Sequence, residues 1–345
     1  MNKISSYTSW QPLESVVVGR VYTPAYFSFI SDPKVKGQLG QLLDETNEDL
    51  DNLAALLQQF GAEVLRPELP DVDFFQQRWL DGGFSPMPPL TPRDWQISLG
   101  DKLLRLLNVP AMDSICKSLS NHDGSNIIDP HQGGFDANHV LVGAAASCIV
   151  RVGTDVFFDR SEWMTPAQME WIRDNVLDSR FRVRQAQTNG HGDAVFAILK
   201  PGLILSSIHD ADINYKESFP GWEVHKVWDA SIWAAMEVGE FCQQSFNGRW
   251  WLQTQNPSAE FTNFVDTYLE KWTGFVKETV FDVNCLVLDE HNVIFSSYNK
   301  DVFDFCKKHH IEPIMCAQRH KYFFDSGISC CTQDVRRRGA LETYL

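Results

Sequence analysis

The sequence predicts an α/β chain in which a unit of two short strands followed by a helix recurs. Four pairs of apolar segments flank turns rich in Gly, Pro, Asp or Asn, a pattern typical of β-hairpins. The pairs occupy residues 95–107, 148–159, 195–207 and 285–297. Apolar residues at helical spacing follow two of these pairs, at residues 165–176 and 301–309. The 345 residues are 43% hydrophobic, which is sufficient for a large core.

Recurrence of a strand–strand–helix unit is typical of a cyclic or solenoid α/β array. The recurring units are not similar in sequence, however, and an ordinary α+β domain with several hairpins would give the same pattern. The pattern alone therefore leaves both architectures open.

The N-terminal third of the chain shows one further helix. Leucines at near-helical spacing predict it over residues 41–60, and Gly61 is suited to cap its C-terminus. Residues 62–65 then read as a strand. Residues 67–92 contain six prolines and predict a long loop or lid.

The charge and composition of the chain limit the kinds of molecule that we expect it to bind. The formal net charge is −15, so the chain would repel a phosphate backbone, and its dense basic run, residues 336–338, is short. We therefore expect no nucleic-acid partner, whereas a cationic substrate would be attracted. No apolar run approaches the ~18 residues of a membrane span, and no signal-peptide pattern is seen. The eight scattered cysteines are typical of reduced thiols, so we expect a cytoplasmic protein.

Cofactor and metal motifs are weak. Cys306, His309, His310 and Cys316 lie close together, but the first two fall in a helical pattern and no second pair has zinc-like spacing. The sequence has no Walker loop and no dinucleotide glycine fingerprint. We therefore expect neither a metal nor a cofactor.

Cys330 is the first candidate for chemistry. Small residues precede it in the segment 326–329, so its thiol could be exposed to a ligand. A nucleophilic thiol needs a lowered pKa from a nearby histidine or cation, and the arginines at 336–338 would serve if they turned towards it. A buried structural cysteine is the alternative, and it is the commoner role of an isolated cysteine.

Three other segments carry acid–base groups. His191 lies between two glycines, and Asp193 would share its face if the backbone there were extended. Asp136 follows two glycines and an aromatic residue, a setting in which a carboxylate could orient a histidine. Asp94 stands at the start of the first hairpin. Each segment, taken singly, is equally an ordinary turn or strand start.

Taken together, these segments resemble the glycine amidinotransferase family over nearly the whole chain, and in the same order. The Cys-x-x-x-Asp-Val-Arg-Arg-Arg-Gly motif at residues 330–339 is the most specific part of the resemblance. The other matching segments are residues 10–20, 92–94, 135–137, 151–155, 191–194 and 201–206.

The resemblance implies a fold and an activity. The fold is an α/β propeller of five pseudosymmetric ββαβ modules, the pentein fold, with residues 1–345 forming a single domain. The activity is transfer of an amidino group from a guanidino donor (arginine or an arginine-like amine such as agmatine) to an acceptor amine. No cofactor or membrane is involved, and the oligomeric state is left open, a homodimer included.

The resemblance also implies roles for individual residues. Cys330 is the nucleophile that carries the amidino group, His191 is the general acid and then the general base, and Asp136 orients His191. Asp94 and Asp193 grip the guanidinium group.

Two acidic residues depart from the family pattern. Asp210 and Glu278 fall near the positions at which the arginine-using enzymes bind the carboxylate of the donor. At ~4 Å and an effective dielectric of ~20, each like-charge pair would cost about 4 kcal/mol. The departure predicts a donor with a cationic amine end instead of an ordinary α-amino acid, but a slip of register in a variable loop explains it equally well.

Two rival functions stay open. A deiminase or dihydrolase of the same superfamily uses the same cysteine, histidine and acidic residues, with water in place of the acceptor amine. A non-catalytic binding protein on this scaffold is the second rival.

Overall fold

The computed structural model describes residues 3–82, 87–130, 140–159, 164–186, 191–207, 214–227, 258–273 and 281–345. The strands are β1 (Leu13–Val18), β2 (Glu63–Leu65), β3 (Gln96–Leu99), β4 (Lys102–Arg105), β5 (Ile127–Ile128), β6 (Ile149–Val152), β7 (Asp155–Asp159), β8 (Arg182–Ala186), β9 (Phe196–Lys200), β10 (Leu203–Ser206), β11 (Glu223–Lys226), β12 (Leu286–Asp289), β13 (Asn292–Phe295), β14 (Glu312–Met315) and β15 (Thr332–Arg337). The α-helices are α1 (Pro33–Gln59), α2 (Val72–Gly82), α3 (Pro92–Trp95), α4 (Asp113–Leu119), α5 (Pro166–Asn175), α6 (Gly192–Val195), α7 (Tyr215–Ser218), α8 (Ala259–Tyr268), α9 (Lys300–Lys308) and α10 (Lys321–Phe324).

The described strands form five three-stranded sheets of the same topology. In each sheet the central strand pairs antiparallel with one neighbour and parallel with the other. A parallel neighbour requires a crossover connection, and each crossover here contains a helix. The four hairpins expected from sequence are present, each as the antiparallel pair of one sheet, so the predicted recurring unit is confirmed.

The fifth sheet joins the two ends of the chain. Strand β1 pairs antiparallel with β15 and parallel with β2, with Val16 opposite Asp334. Strands β1 and β15 are almost fully buried. The segment that carries the most specific motif is therefore fixed by pairing with the N-terminal strand.

The proline-rich segment differs from its prediction as a loop or lid, because residues 72–82 form α2. Phe75 and Trp79 lie four residues apart and bury one face of this helix among other aromatic rings. Prolines on both sides hide this period in the sequence. Helix α1 also begins earlier than expected, at Pro33, where the Asp32 carboxylate accepts hydrogen bonds from two backbone amides of the first turn.

Other local predictions are confirmed. Gly61 adopts a positive φ of 84° just beyond the C-terminus of α1. The helix predicted over residues 165–176 is present as α5, and the structure adds a capping box formed by Thr165 and Gln168 at its start. No helix in the described ranges has both the length and the apolar character that a membrane crossing would need.

Candidate active site

Cys330 lies in a turn between α10 and β15. Its loop, residues 325–331, is called the Cys330 loop below. The backbone N–H of Cys331 donates to the carbonyl of Gly327 at 3.0 Å, which closes the turn. Asp325 begins the loop in the left-handed region, with φ 47° and ψ 49°. Contrary to the expectation of an exposed thiol, Cys330 is only 4% exposed.

A buried asparagine holds the Cys330 loop from the neighbouring sheet. Asn284 lies two residues before β12 and is fully buried. Its side-chain amide donates to the sulfur of Cys330 at 3.1 Å and to the carbonyl of Asp193 at 3.1 Å. Its oxygen accepts the backbone N–H of Ser329 at 2.9 Å. Asn284 therefore joins Cys330 to the segment that carries Asp193.

Two carboxylates and a histidine meet at the same place. Asp193 Oδ2 lies 3.8 Å from Cys330 Sγ, and Asp94 Oδ1 lies 3.5 Å from His191 Nδ1. Asp94 belongs to α3 and Asp193 to α6, short helical turns that lead directly into β3 and β9. The corresponding ends of three sheets thus bring the four predicted residues together.

The local conformation near His191 differs from the sequence expectation. Asp193 was expected to share a face with His191 on an extended strand, but residues 192–195 form the helical turn α6. His191 precedes this turn and faces Asp94, whereas Asp193 faces Cys330. The two residues are close because of the turn and not because of strand alternation.

Each carboxylate has an oxygen suited to a further hydrogen bond. Both Oδ1 atoms are buried: Asp193 Oδ1 has no hydrogen-bond partner among the described residues, and Asp94 Oδ1 has the 3.5 Å ion-pair contact with His191 but no hydrogen bond there. Burial raises the pKa of Asp193, Asp94 raises it further, and Arg93 opposes both effects. A buried carboxylate oxygen without a donor is costly, so this arrangement favours a ligand rich in N–H groups.

The electrostatic setting of Cys330 is opposite to the one expected from sequence. Burial, then Asp193 and then Asp94, raise the pKa of the Cys330 thiol well above its ordinary value. Of the arginines of the motif, Arg336 pairs with Glu14 and Arg337 with Asp334. The effects of burial and the two carboxylates favour the neutral thiol.

A cluster of buried charges supports the Cys330 loop. The Asp334 carboxylate accepts hydrogen bonds from Arg93 at 3.2 Å, Arg151 at 2.6 Å and Arg337 at 2.8 Å. Burial opposes its ionisation, but these arginines outweigh burial and hold the pKa of Asp334 well below its usual range. Arg93 also donates to the carbonyl of Ser329 at 2.9 Å, so the cluster is tied to the loop.

Three predicted residues lie outside the described ranges: Asp136, Asp210 and Glu278. The orienting role of Asp136 and the altered donor clamp therefore stay predictions. Among the described residues, no group of three or more His, Cys, Asp or Glu side chains is arranged to hold a metal ion.

Sequence reasoning assigned no role to Asn284 and none to Arg93. A single amide in the apolar run at residues 283–288 is a signal of a buried, hydrogen-bonded polar group. Arg93 stood beside Asp94 in a recognised segment, but its contacts with Ser329 and Asp334 depend on residues more than 200 positions away.

Comparison with known proteins agrees with this geometry, although no protein-family model matches the chain. The chain is 22% identical to the mitochondrial glycine amidinotransferase of Danio rerio, over 99% of its own length and 85% of that protein. It is also 22% identical to the L-arginine:L-lysine amidinotransferase of Pseudomonas savastanoi pv. phaseolicola, over 99% of its own length and 96% of that protein. The chain is therefore similar to amidinotransferases over nearly its whole length.

Solved structures of known proteins are similar to this chain in fold. An inosamine-phosphate amidinotransferase from Streptomyces griseus superposes with a TM-score of 0.67 at 18% identity, covering 100% of this chain and 99% of that one. A dimethylarginine dimethylaminohydrolase from Pseudomonas aeruginosa superposes with a TM-score of 0.54 at 10% identity, covering 93% and 99%. These likenesses show that the chain has the same α/β fold as these two proteins.

Proposed function

We propose that this chain is an amidinotransferase that carries the amidino group on the sulfur of Cys330. One observation carries the proposal: the Cys330 sulfur lies 3.8 Å from Asp193 in a buried site where a second carboxylate, Asp94, lies 3.5 Å from His191 and one oxygen of Asp193 has no hydrogen-bond partner among the described residues. The full-length similarity to glycine and L-arginine:L-lysine amidinotransferases supports transfer of an amidino group as the reaction.

Asp94 and Asp193 bind the guanidinium group of the donor. A guanidinium is a planar cation with N–H donors on several edges, so two carboxylates can each accept a charge-assisted hydrogen bond. The bound positive charge offsets the two negative charges that raise the pKa of Cys330. Donor binding therefore favours the thiolate at the moment when the thiolate is needed.

The reaction then proceeds in two halves. As the donor binds, the Cys330 thiol gives its proton to His191. The thiolate adds to the guanidinium carbon, the protonated His191 returns the proton to the donor amine, and the carbon–nitrogen bond breaks to leave an amidino group on sulfur. An acceptor amine then attacks the same carbon and gives up a proton to His191. The carbon–sulfur bond breaks, which regenerates the thiolate and releases a new guanidino compound.

Our proposal places two carboxylates, Asp94 and Asp136, beside His191. Asp94 lies 3.5 Å from its Nδ1 and stabilises the imidazolium that forms in each half of the reaction. Asp136, which resemblance assigns to orienting His191, completes this arrangement in our proposal.

The donor specificity in this proposal follows from two acidic residues that stand near the positions where the arginine-using enzymes bind the carboxylate of the donor. Asp210 and Glu278 would repel the carboxylate of an α-amino acid and favour a donor with a cationic amine end, such as agmatine. The named relatives use different acceptors, among them glycine and L-lysine, so similarity alone assigns no acceptor here.

We also propose a finer description of the molecule. The five sheets of identical topology are arranged as a pseudo-fivefold α/β propeller, and residues 1–345 form one domain. The buried cluster at Asp334 supports this arrangement, because its partners come from α3, β6 and β15. A cytoplasmic location and the absence of nucleic-acid partners remain predictions from composition.

Product analysis tests the function. The protein is incubated with agmatine or arginine, with and without an excess of glycine or lysine as acceptor, and Cys330→Ala serves as control. Transfer predicts release of the donor amine and a new guanidino compound that appears only with acceptor. Ammonia and a ureido product, formed at the same rate without acceptor, would instead show a hydrolase such as the agmatine deiminase to which the fold is also similar.

A further inference from the structure

Asn284 is in contact with the reacting sulfur, and resemblance assigned it no role. Its side chain is fully buried, and every polar atom of its amide has a partner. A buried amide that contacts a cysteine sulfur at 3.1 Å is placed to influence the charge of that sulfur.

The contacts determine which end of the amide faces the sulfur. One amide atom lies 2.9 Å from the backbone N–H of Ser329 and 3.4 Å from that of Cys330, so it must be the oxygen. The other lies 3.1 Å from the carbonyl of Asp193, so it must be the nitrogen. The same nitrogen is the atom that lies 3.1 Å from Cys330 Sγ. The sulfur therefore receives an N–H donor.

We propose that Asn284 is a catalytic residue, whose side-chain N–H donates a hydrogen bond to the Cys330 thiolate and offsets part of the repulsion from Asp94 and Asp193. This inference rests on the proposed role of Cys330 as nucleophile. A hydrogen bond to an ionised acceptor is stronger than one to its neutral form, so the N–H favours the thiolate over the thiol.

Gly327 gives independent support for a fixed position of Asn284. A Cβ atom at residue 327 would lie 2.3 Å from the Asn284 side-chain oxygen and 2.8 Å from its Cγ, which is closer than real contacts allow. Gly327 is not among the glycines with positive φ, so its small size, and not an unusual backbone conformation, is what the site requires. Gly327 is thus a positioning residue that acts through Asn284.

The test separates hydrogen-bond donation from support of the loop. Asn284→Asp keeps an oxygen for the backbone N–H groups of Ser329 and Cys330 but replaces the donor with a carboxylate oxygen. Asn284→Ala removes both functions. The readout is the pH dependence of iodoacetamide alkylation at Cys330, followed by peptide mass spectrometry so that other thiols do not interfere, with folding checked by circular dichroism.

We expect Asn284→Asp to raise the pH midpoint of alkylation by about one unit or more, and Asn284→Ala to raise it by a smaller amount. The value of kcat/KM at neutral pH should fall about tenfold or more in the Asp variant. If both variants fold and melt at lower temperature while the alkylation midpoint is unchanged, Asn284 has a structural role only and the inference is wrong.

A double-mutant cycle tests the coupling to Gly327. Gly327→Ala should slow alkylation of Cys330 severalfold in the wild type and have little effect in the Asn284→Ala background. Equal effects in both backgrounds would show that Gly327 does not act through Asn284.

Failure of the proposed function would look different. Alkylation needs no substrate, so a shifted midpoint in a protein that transfers no amidino group from agmatine or arginine would sustain the inference and contradict the proposed reaction. Amidino transfer by the wild type, together with an unshifted alkylation midpoint in the Asn284 variants, would support the proposed reaction and contradict the inference about Asn284.

Discussion

Cys330 depends on a balance of charge that changes when a donor binds. Burial and two carboxylates oppose its ionisation in the free protein, and a guanidinium cation would offset both carboxylates. The amide of Asn284 favours the thiolate in both states. A thiol that ionises mainly when the donor is bound is protected from unproductive reactions with other electrophiles.

Removing the nearest carboxylate should separate thiol reactivity from turnover. Asp193→Asn should lower the pKa of Cys330 and speed its alkylation severalfold at pH 7 in the absence of substrate. It should also lower kcat/KM about a hundredfold, because the guanidinium loses a charge-assisted partner. The alkylation rate is measured on samples quenched at timed intervals, and kcat/KM is measured by steady-state kinetics. Substitution of an exposed residue, Asp178→Asn, is the control. Slower alkylation in Asp193→Asn would contradict this account.

The sequence predicted which candidate residues lie together but not their setting, and the catalytic roles of these residues stay predictions. Cys330, His191, Asp94 and Asp193 were found because their segments keep a recognisable order, and the structure brings these four together. The raised pKa of Cys330 was not predictable, because it depends on burial and on carboxylates that are distant in the sequence.

At the scale of elements, α1 anchors the segment that leads to Cys330. The Asp49 carboxylate accepts hydrogen bonds from the backbone N–H of Arg319 at 2.7 Å and from its side chain at 2.9 Å. One residue further, His320 contacts Glu45 of the same helix at 2.7 Å. Helix α1 therefore fixes the approach to α10 and the Cys330 loop.

Loss of this anchor should cost stability more than chemistry. Asp49→Ala should lower the free energy of unfolding by about 2 kcal/mol, because the buried carboxylate serves two donors, one of them charged. Its exposed neighbour Glu48 also pairs with Arg319, but Glu48→Ala should cost less than about 1 kcal/mol. Urea unfolding compares the two variants. Equal costs would show that Asp49 is not a specific anchor.

The elements themselves were largely predictable where one signal dominated. Gly, Pro and Asn turns between apolar strands gave the four hairpins, and apolar residues at helical spacing gave α5. Helix α2 was missed, because flanking prolines favoured a loop while its stability comes from aromatic packing against other parts of the chain.

At the scale of the whole molecule, strands from the two ends of the chain, β1 and β15, pair in one sheet, and β15 carries a buried charge. Asp334 in β15 lies opposite Val16 of β1 and accepts hydrogen bonds from three arginines. Removing one member of such a group leaves buried charge without compensation, which is costly even where the intact group adds little net stability.

Asp334→Asn should therefore lower the free energy of unfolding by about 3–5 kcal/mol at pH 7. The pKa of Asp334 is depressed on folding, so its contribution is fully present above the unfolded value of about 4 and is lost as the pH falls through that value and below. The difference between wild type and variant should shrink below pH 4. Denaturant titrations at pH 7 and pH 3 measure it, with the exposed Asp174→Asn as control. A difference independent of pH would contradict the assignment.

The recurring unit was visible in the sequence, but the pairing of the first strand with the last was not. Pattern reasoning left a cyclic array and an ordinary α+β domain equally open, because the units share no sequence. Pairing of β1 with β15 joins residues more than 300 positions apart, and no local signal predicts a contact of that range.

Covalent transfer through Cys330 is tested most directly by mass spectrometry of the intact protein after rapid mixing with agmatine or arginine. We predict a gain of one amidino group, located on Cys330 by peptide mapping, absent in Cys330→Ser and lost when an acceptor amine is added. Conversion of the donor with the amidino group on another residue, or turnover that survives in Cys330→Ser, would contradict the account.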